Sequence, residues 1–80
     1  MEQALTLKQT AERLGIRRTT LYKHKAKLEA NGLQALKLEQ KVLYRAAAVD
    51  ALIMKAFETE QPFWTVQITK NDIERVKRWK

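Results

Sequence analysis

A single glycine, Gly15, separates two stretches of helical periodicity, each too short to stand alone, and this break constrains the fold more than any other feature of the chain. On its N-terminal side Leu7, Ala11 and Leu14 recur at i, i+4 and i+7, one face of a helix of about two turns. Thr6 and Gln9, three apart, are the residue types of a capping box at its start. Gly15 follows the last apolar position, where a residue free to adopt positive φ ends a helix, and Ile16 returns an apolar side chain to the same core. Beyond it, Arg18 to Ala30 is again helical in pattern, with Leu21 and Leu28 on one side and Asn31-Gly32 as the stop. The small Ala11 lets the two helices approach, and Leu14, Ile16 and Leu21 hold the angle between them.

Placing Leu21 inward, at about 100° per residue, sends Thr19, Lys23, Ala26 and Lys27 to the far side and leaves Thr20 and Tyr22 at its edges. That outer face is basic. His24 and Lys25 fall near the inward stripe, so the lysine stem lies along apolar surface with its amine in water. His24 reads as a packed boundary residue rather than a ligand or base, because no second His, Cys or acid accompanies it.

The segment from Leu33 to Arg45 divides into two short strands, Ala35 to Leu38 and Lys41 to Arg45, around Glu39-Gln40. Val42, Leu43 and Tyr44 form a β-favouring cluster. Neither Asn nor Gly occupies the loop, so a helix running from Leu33 into the next segment is the alternative. From Ala46 to Phe57 the pattern is helical, with Val49, Leu52, Ile53, Ala56 and Phe57 as its apolar stripe. Glu58 to Pro62 breaks the pattern, and Phe63 to Ile68 reads as a strand. Thr69 with Asp72 opens a final basic helix bearing Ile73, Val76 and Trp79 on one side.

These elements predict a mainly α fold of three to four helices plus a short β-hairpin. Residues 1–58 form the core unit, and residues 59–80 form an extension that docks on the body or mediates self-association. The last helical pattern runs to Lys80 without a stop signal, so the chain reads equally as a whole protein and as the head of a longer one.

The 80 residues leave room for one small core, and with no cysteine the fold rests on that core alone. No stretch approaches the roughly 18 apolar residues of a membrane span, and Met1 to Leu7 lacks the layout of a signal peptide, which points to a cytoplasmic protein without a membrane partner. There is no Gly-rich phosphate loop, no metal-ligand spacing and no carboxylate pair in an identifiable pocket, so neither an enzyme nor a cofactor is expected. Sixteen Lys and Arg stand against nine Asp and Glu, for a net charge of +7. Nine of those basic residues but only two acidic ones lie between positions 13 and 45. Charge concentrated in this way favours a polyanionic partner.

Two short helices joined by a glycine turn, the second presenting a basic face, is an arrangement used in DNA recognition. The run LTLKQTAERLGIRRTTLYKHKAKLEANGL, followed by KLEQKVLYRAAAVDALI, resembles the excisionase-like and MerR-like winged helix-turn-helix domains over residues 5 to 57. The T-L-Y at Thr20, Leu21 and Tyr22 matches a signature recurrent there. The chain departs from the pattern at Arg17, where a Ser or Thr cap is usual, at the wing, which lacks a Gly-rich turn, and at His24, which replaces a more apolar residue.

A recognition helix presents its first turns to base edges, which selects Arg18, Thr19, Tyr22 and Lys23 for base contacts, with Arg18 the candidate for guanine. Arg17, Thr20, Lys25 and Lys27 fall to phosphates. Tyr22 reads equally as a residue packed at the core edge, and Arg17 with Glu12 or Arg13 with Glu2 as ordinary surface pairs. The resemblance implies that Lys37, Lys41 and Arg45 of the wing reach the minor groove or backbone. It further implies a small transcription regulator or an excisionase-type architectural factor of a bacterium, phage or mobile element. Its expected partners are double-stranded DNA, further copies of the chain on that DNA, and a recombinase or the transcription machinery. The alternative is a protein- or RNA-interaction module, such as the DNA-binding head of a phage packaging (small terminase) subunit.

Overall fold

The computed structural model describes the backbone of residues 4–79 and the side chains of residues 4–78. Glu2 and Lys80, and the side chain of Trp79, lie outside the described residues.

The described residues open with a strand absent from the sequence expectation, β1 (Ala4–Thr6), whose last residue also caps the first helix, α1 (Leu7–Leu14). The capping box is complete: the Thr6 hydroxyl accepts from the Gln9 amide at 3.2 Å, and the Gln9 side chain accepts from the Thr6 amide at 3.0 Å. Gly15, at φ 73°, closes α1, and the Ile16 amide reaches back to the Ala11 carbonyl at 3.0 Å. This is the left-handed exit that a glycine permits. Helix α2 (Arg18–Ala30) follows with Arg17 at its N-cap, and Arg17 makes no side-chain cap bond. Leu21 and Leu28 are buried on its inner side. Gly32, at φ 111°, turns the chain out of α2.

The hairpin forms, and the helical alternative does not. Strands β2 (Ala35–Lys37) and β3 (Val42–Arg45) pair antiparallel, and the Leu38 amide donates to the Lys41 carbonyl at 2.8 Å across Glu39-Gln40. Strand β1 adds to the other edge of β3, giving the sheet order β1-β3-β2. The register places Tyr44 opposite both Leu5 and Ala35 on the inner face. Leu36 therefore points outward with Leu43. Leu36 and Leu38 are exposed while Tyr44 is buried.

Helix α3 (Ala46–Thr59) is the centre of the core, with Ala48, Val49, Ala51 and Leu52 fully enclosed. The expected stripe needs one correction: Phe57 is 78% exposed. The buried face is centred on Leu52, because the final helix covers the alanine side of α3, and five residues of helix carry Phe57 about 140° away from that centre. A second correction concerns Phe63 to Ile68. Phe63–Thr65 is a single 3-10 turn begun by Pro62; Val66 is extended, and Val66 to Ile68 joins no ladder. The Ile68 amide donates to the Asn31 carbonyl at 2.7 Å, and the Asn31 side-chain amide donates to the Trp64 carbonyl at 3.0 Å. The segment is thus fastened to the C-terminal end of α2 rather than to a strand.

Helix α4 (Lys70–Trp79) packs on α3 with Ile73 and Val76 buried. Its start is fixed by Asp72, whose carboxylate accepts from the Thr69 amide at 2.9 Å and from the Lys55 ammonium at 3.0 Å. One continuous cluster, from Leu5 and Leu14 through Leu21, Tyr44 and Leu52 to Val66 and Val76, holds all these elements together. No helix among the described residues is long and apolar enough to cross a membrane.

Candidate nucleic-acid interface

Helix α2 is held from behind and on one flank, and this sets which side chains it presents. Leu21 and Leu28 anchor its inner face. On one flank His24 stacks on Trp64, with ring centroids 4.1 Å apart and planes 10° from parallel. His24 is half-buried there, the packed boundary role expected of it. On the other flank Tyr22 and Lys25 face the hairpin across a cleft. Between the flanks, Arg17, Arg18, Thr19, Lys23, Ala26 and Lys27 are all exposed.

Tyr22 is 67% exposed and so does not pack at the core edge. Lys25 is half-buried, with its ammonium 5.6 Å from the centre of the Tyr22 ring, within reach of a cation–π attraction. Thr20 is half-buried. With no side-chain acceptor from Arg17, the positive end of the α2 dipole faces outward beside two guanidinium groups.

The ion pairs that form lie away from the exposed face of α2. Arg13 pairs with Asp50 at 3.0 Å, Lys55 with Asp72 at 3.0 Å and Arg75 with Glu58 at 2.9 Å. Arg17 makes no ion pair with Glu12, and Glu2, the partner expected for Arg13, lies outside the described residues. Among the described residues, Arg17, Arg18, Lys23, Lys25 and Lys27 have no ion-pair partner, and the same holds for Lys8, Lys41, Lys70 and Arg78. On α4, by contrast, Arg75 and Lys77 are engaged with acidic neighbours.

The three basic wing residues part company. Lys41 is exposed at the hairpin tip and lines the cleft shared with Tyr22 and Lys25. Lys37 lies 3.9 Å from Glu29 on α2, and Arg45, at the far end of β3, donates to the Gln34 side chain at 2.8 Å. Arg45 borders other clefts, with Gln34 and Lys70.

Two buried groups are perturbed. Burial, with Glu29 and Tyr22 nearby, pushes the Tyr44 hydroxyl up to about 12. Burial alone would raise the Asp72 carboxyl, but the Thr69 amide, the Lys55 ammonium and the Thr69 hydroxyl outweigh it and hold the group below its usual range. Both belong to the scaffold, Tyr44 lying behind α2 and Asp72 at the start of α4. No group of three or more His, Cys, Asp or Glu among the described residues is placed to hold a metal ion.

The brace at Trp64 is the feature that sequence periodicity misses. Its contact partner lies far away in the chain, and no local signal marks it. Compared with protein-family models, curated proteins and solved structures, the chain matches none.

Proposed function

We propose that this protein is a non-enzymatic, sequence-specific double-stranded DNA-binding protein that inserts α2 into the major groove. Its role is that of a small transcription regulator or an excisionase-type architectural factor of a bacterium, phage or mobile element. One observation carries the reading: the exposed face of α2 gathers Arg17, Arg18, Lys23 and Lys27 without an ion-pair partner among the described residues, while Arg13, Lys55 and Arg75 on the body are each paired with an acidic neighbour. Leaving like charges together and unpaired opposes folding, and a polyanion offsets that repulsion. Arg18, Thr19, Tyr22 and Lys23 then face base edges, and Arg17, Thr20, Lys25 and Lys27 face phosphates.

Binding measured at several salt concentrations with duplex DNA, single strands and RNA tests this. Five to eight phosphate contacts give a log-log salt slope of roughly −4.5 to −7 on duplex. A flat dependence, or a preference for RNA, removes the reading. A protein-interaction module is the second reading, and a different feature favours it. Exposed Phe57 borders a groove of about 580 Å³ with Ile16, Phe63 and Trp64, and Glu60 also lines it. Sedimentation of the free protein, and of its mixture with duplex, separates the two.

A further inference from the structure

The cleft between the hairpin and α2 brings together residues that the sequence had no means of grouping. Its volume is about 460 Å³. Leu7 and Val42, both half-buried, contribute apolar wall, while Lys8 of α1, Lys25 of α2 and Lys41 of the hairpin tip line it from three separate elements. Among the described residues none of the three lysines has an ion-pair partner. Glu39 also lines the cleft, yet it pairs with none of them. The Thr6–Gln9 capping box already satisfies part of the helix start, so the attraction for an anion comes from the ammonium groups.

We infer that this cleft seats a backbone phosphate of the bound duplex, with Lys8 as a contact equal in weight to the lysines of α2 and the wing. The inference rests on the duplex reading above and deepens it. Three ammonium groups lining one cleft repel one another until an anion enters, and the singly charged phosphates of a DNA strand are the anions that a neighbouring recognition helix delivers. Seating the strand there fixes how far α2 slides along the groove, which is a positioning role rather than base readout. It also assigns the wing's grip to Lys41 alone, since Lys37 faces Glu29 and Arg45 is bonded to Gln34.

The test uses the full chain, a duplex recovered by selection from a random pool, and a scrambled duplex of equal length. Dissociation constants are measured across salt for the wild type, Lys8→Ala and Glu39→Gln. Counterion release of about 0.9 per phosphate makes Lys8→Ala about eightfold weaker at 0.1 M salt on both duplexes, with a slope shallower by about 0.9. Removing the only carboxylate among the described residues that line the cleft, Glu39→Gln tightens binding by about threefold on both. A gain of this kind cannot come from a damaged fold. For Lys8→Ala, an unchanged circular dichroism spectrum and melting temperature serve that purpose, as expected for an exposed side chain.

An unchanged slope for Lys8→Ala, a loss confined to the selected duplex, or a Glu39→Gln variant that binds no tighter overturns the inference. These outcomes are separate from failure of the duplex reading itself. That reading falls if the wild type binds without salt dependence, whereas steep wild-type binding with an inert Lys8→Ala sinks only the cleft.

Discussion

Replacing Gly32 by alanine tests the joint that ties α2 to the C-terminal third of the chain. Gly32 has φ 111°, a region that side chains with a Cβ rarely enter. A Cβ there would overlap the carbonyl oxygen of Ile68 and lie 3.1 Å from its carbonyl carbon. Ile68 has little freedom to retreat, being buried and bonded through its amide to Asn31 at 2.7 Å. The backbone strain amounts to about 1 to 3 kcal/mol. Displacing Ile68 adds about 1 kcal/mol for the broken hydrogen bond, and its partial exposure adds about 1 more. The expected loss is thus about 3 to 5 kcal/mol, a large share of the roughly 4 to 12 kcal/mol that stabilises a domain of this size.

Gly15→Ala is the internal control. At φ 73° a Cβ at Gly15 meets nothing within 4 Å, so only the left-handed backbone is penalised, by about 1 to 2 kcal/mol. Urea unfolding followed by circular dichroism compares the two midpoints. If Gly32→Ala costs no more than Gly15→Ala, Ile68 is not locked against the end of α2, and the account of the brace is wrong.

Asp72→Asn is expected to cost about 1 to 2 kcal/mol at pH 7, through weakened bonds to Thr69 and Lys55. Because folding lowers the pKa of Asp72, its contribution is present above the unfolded value and lost as pH falls through the folded one, so melts at pH 7 and pH 3 should show the gap to wild type closing. Tyr44→Phe removes a buried hydroxyl that has no hydrogen-bond partner among the described residues, and it should be neutral or stabilising by up to about 1 kcal/mol. Folding raises the Tyr44 pKa to about 12, so wild type should lose stability relative to the variant as pH rises from 10, seen in alkaline urea melts. Phe57→Ser should change stability by less than about 0.5 kcal/mol, whereas Leu52→Ala should cost about 3 kcal/mol in the same denaturation assay. Arg18→Ala should relax preference at one base pair and weaken specific binding by about 1 to 3 kcal/mol, while Lys27→Ala weakens all sequences alike. Competition with base-substituted duplexes distinguishes them, and identical sequence-independent losses would refute the assignment of contacts.

Much of the first half of the fold is legible because its signals are local. Thr6 and Gln9 close a box within one turn, Gly15 ends α1, and Asn31-Gly32 ends α2, each through bonds between near neighbours. The Val42 to Tyr44 cluster likewise marks the hairpin. Strand β1 left no such mark, since three residues carry little periodicity and Leu5 becomes a strand residue only by pairing with Tyr44. Phe63 to Ile68 has the composition of a strand but finds no sheet edge, and the end of α2 takes its hydrogen bond instead. Phe57 continues an apolar stripe in one dimension, yet the position of α4 rotates the buried face of α3 away from it.

The candidate interface divides along the same line. The alternation of apolar and basic residues along α2 determined, by itself, that Leu21 and Leu28 face inward and that Thr19, Lys23, Ala26 and Lys27 face outward, because about 100° per residue is a property of any helix. Only the tertiary structure decided which cations stay uncompensated, since an ion pair forms where the fold delivers an acid: Asp50 to Arg13, Glu58 to Arg75, Glu29 to Lys37. The meeting of Lys8, Lys25 and Lys41 at one cleft is likewise a consequence of packing three elements together. Helical phase is written into neighbouring residues, whereas charge neutralisation depends on distances that exist only after the chain has closed on itself.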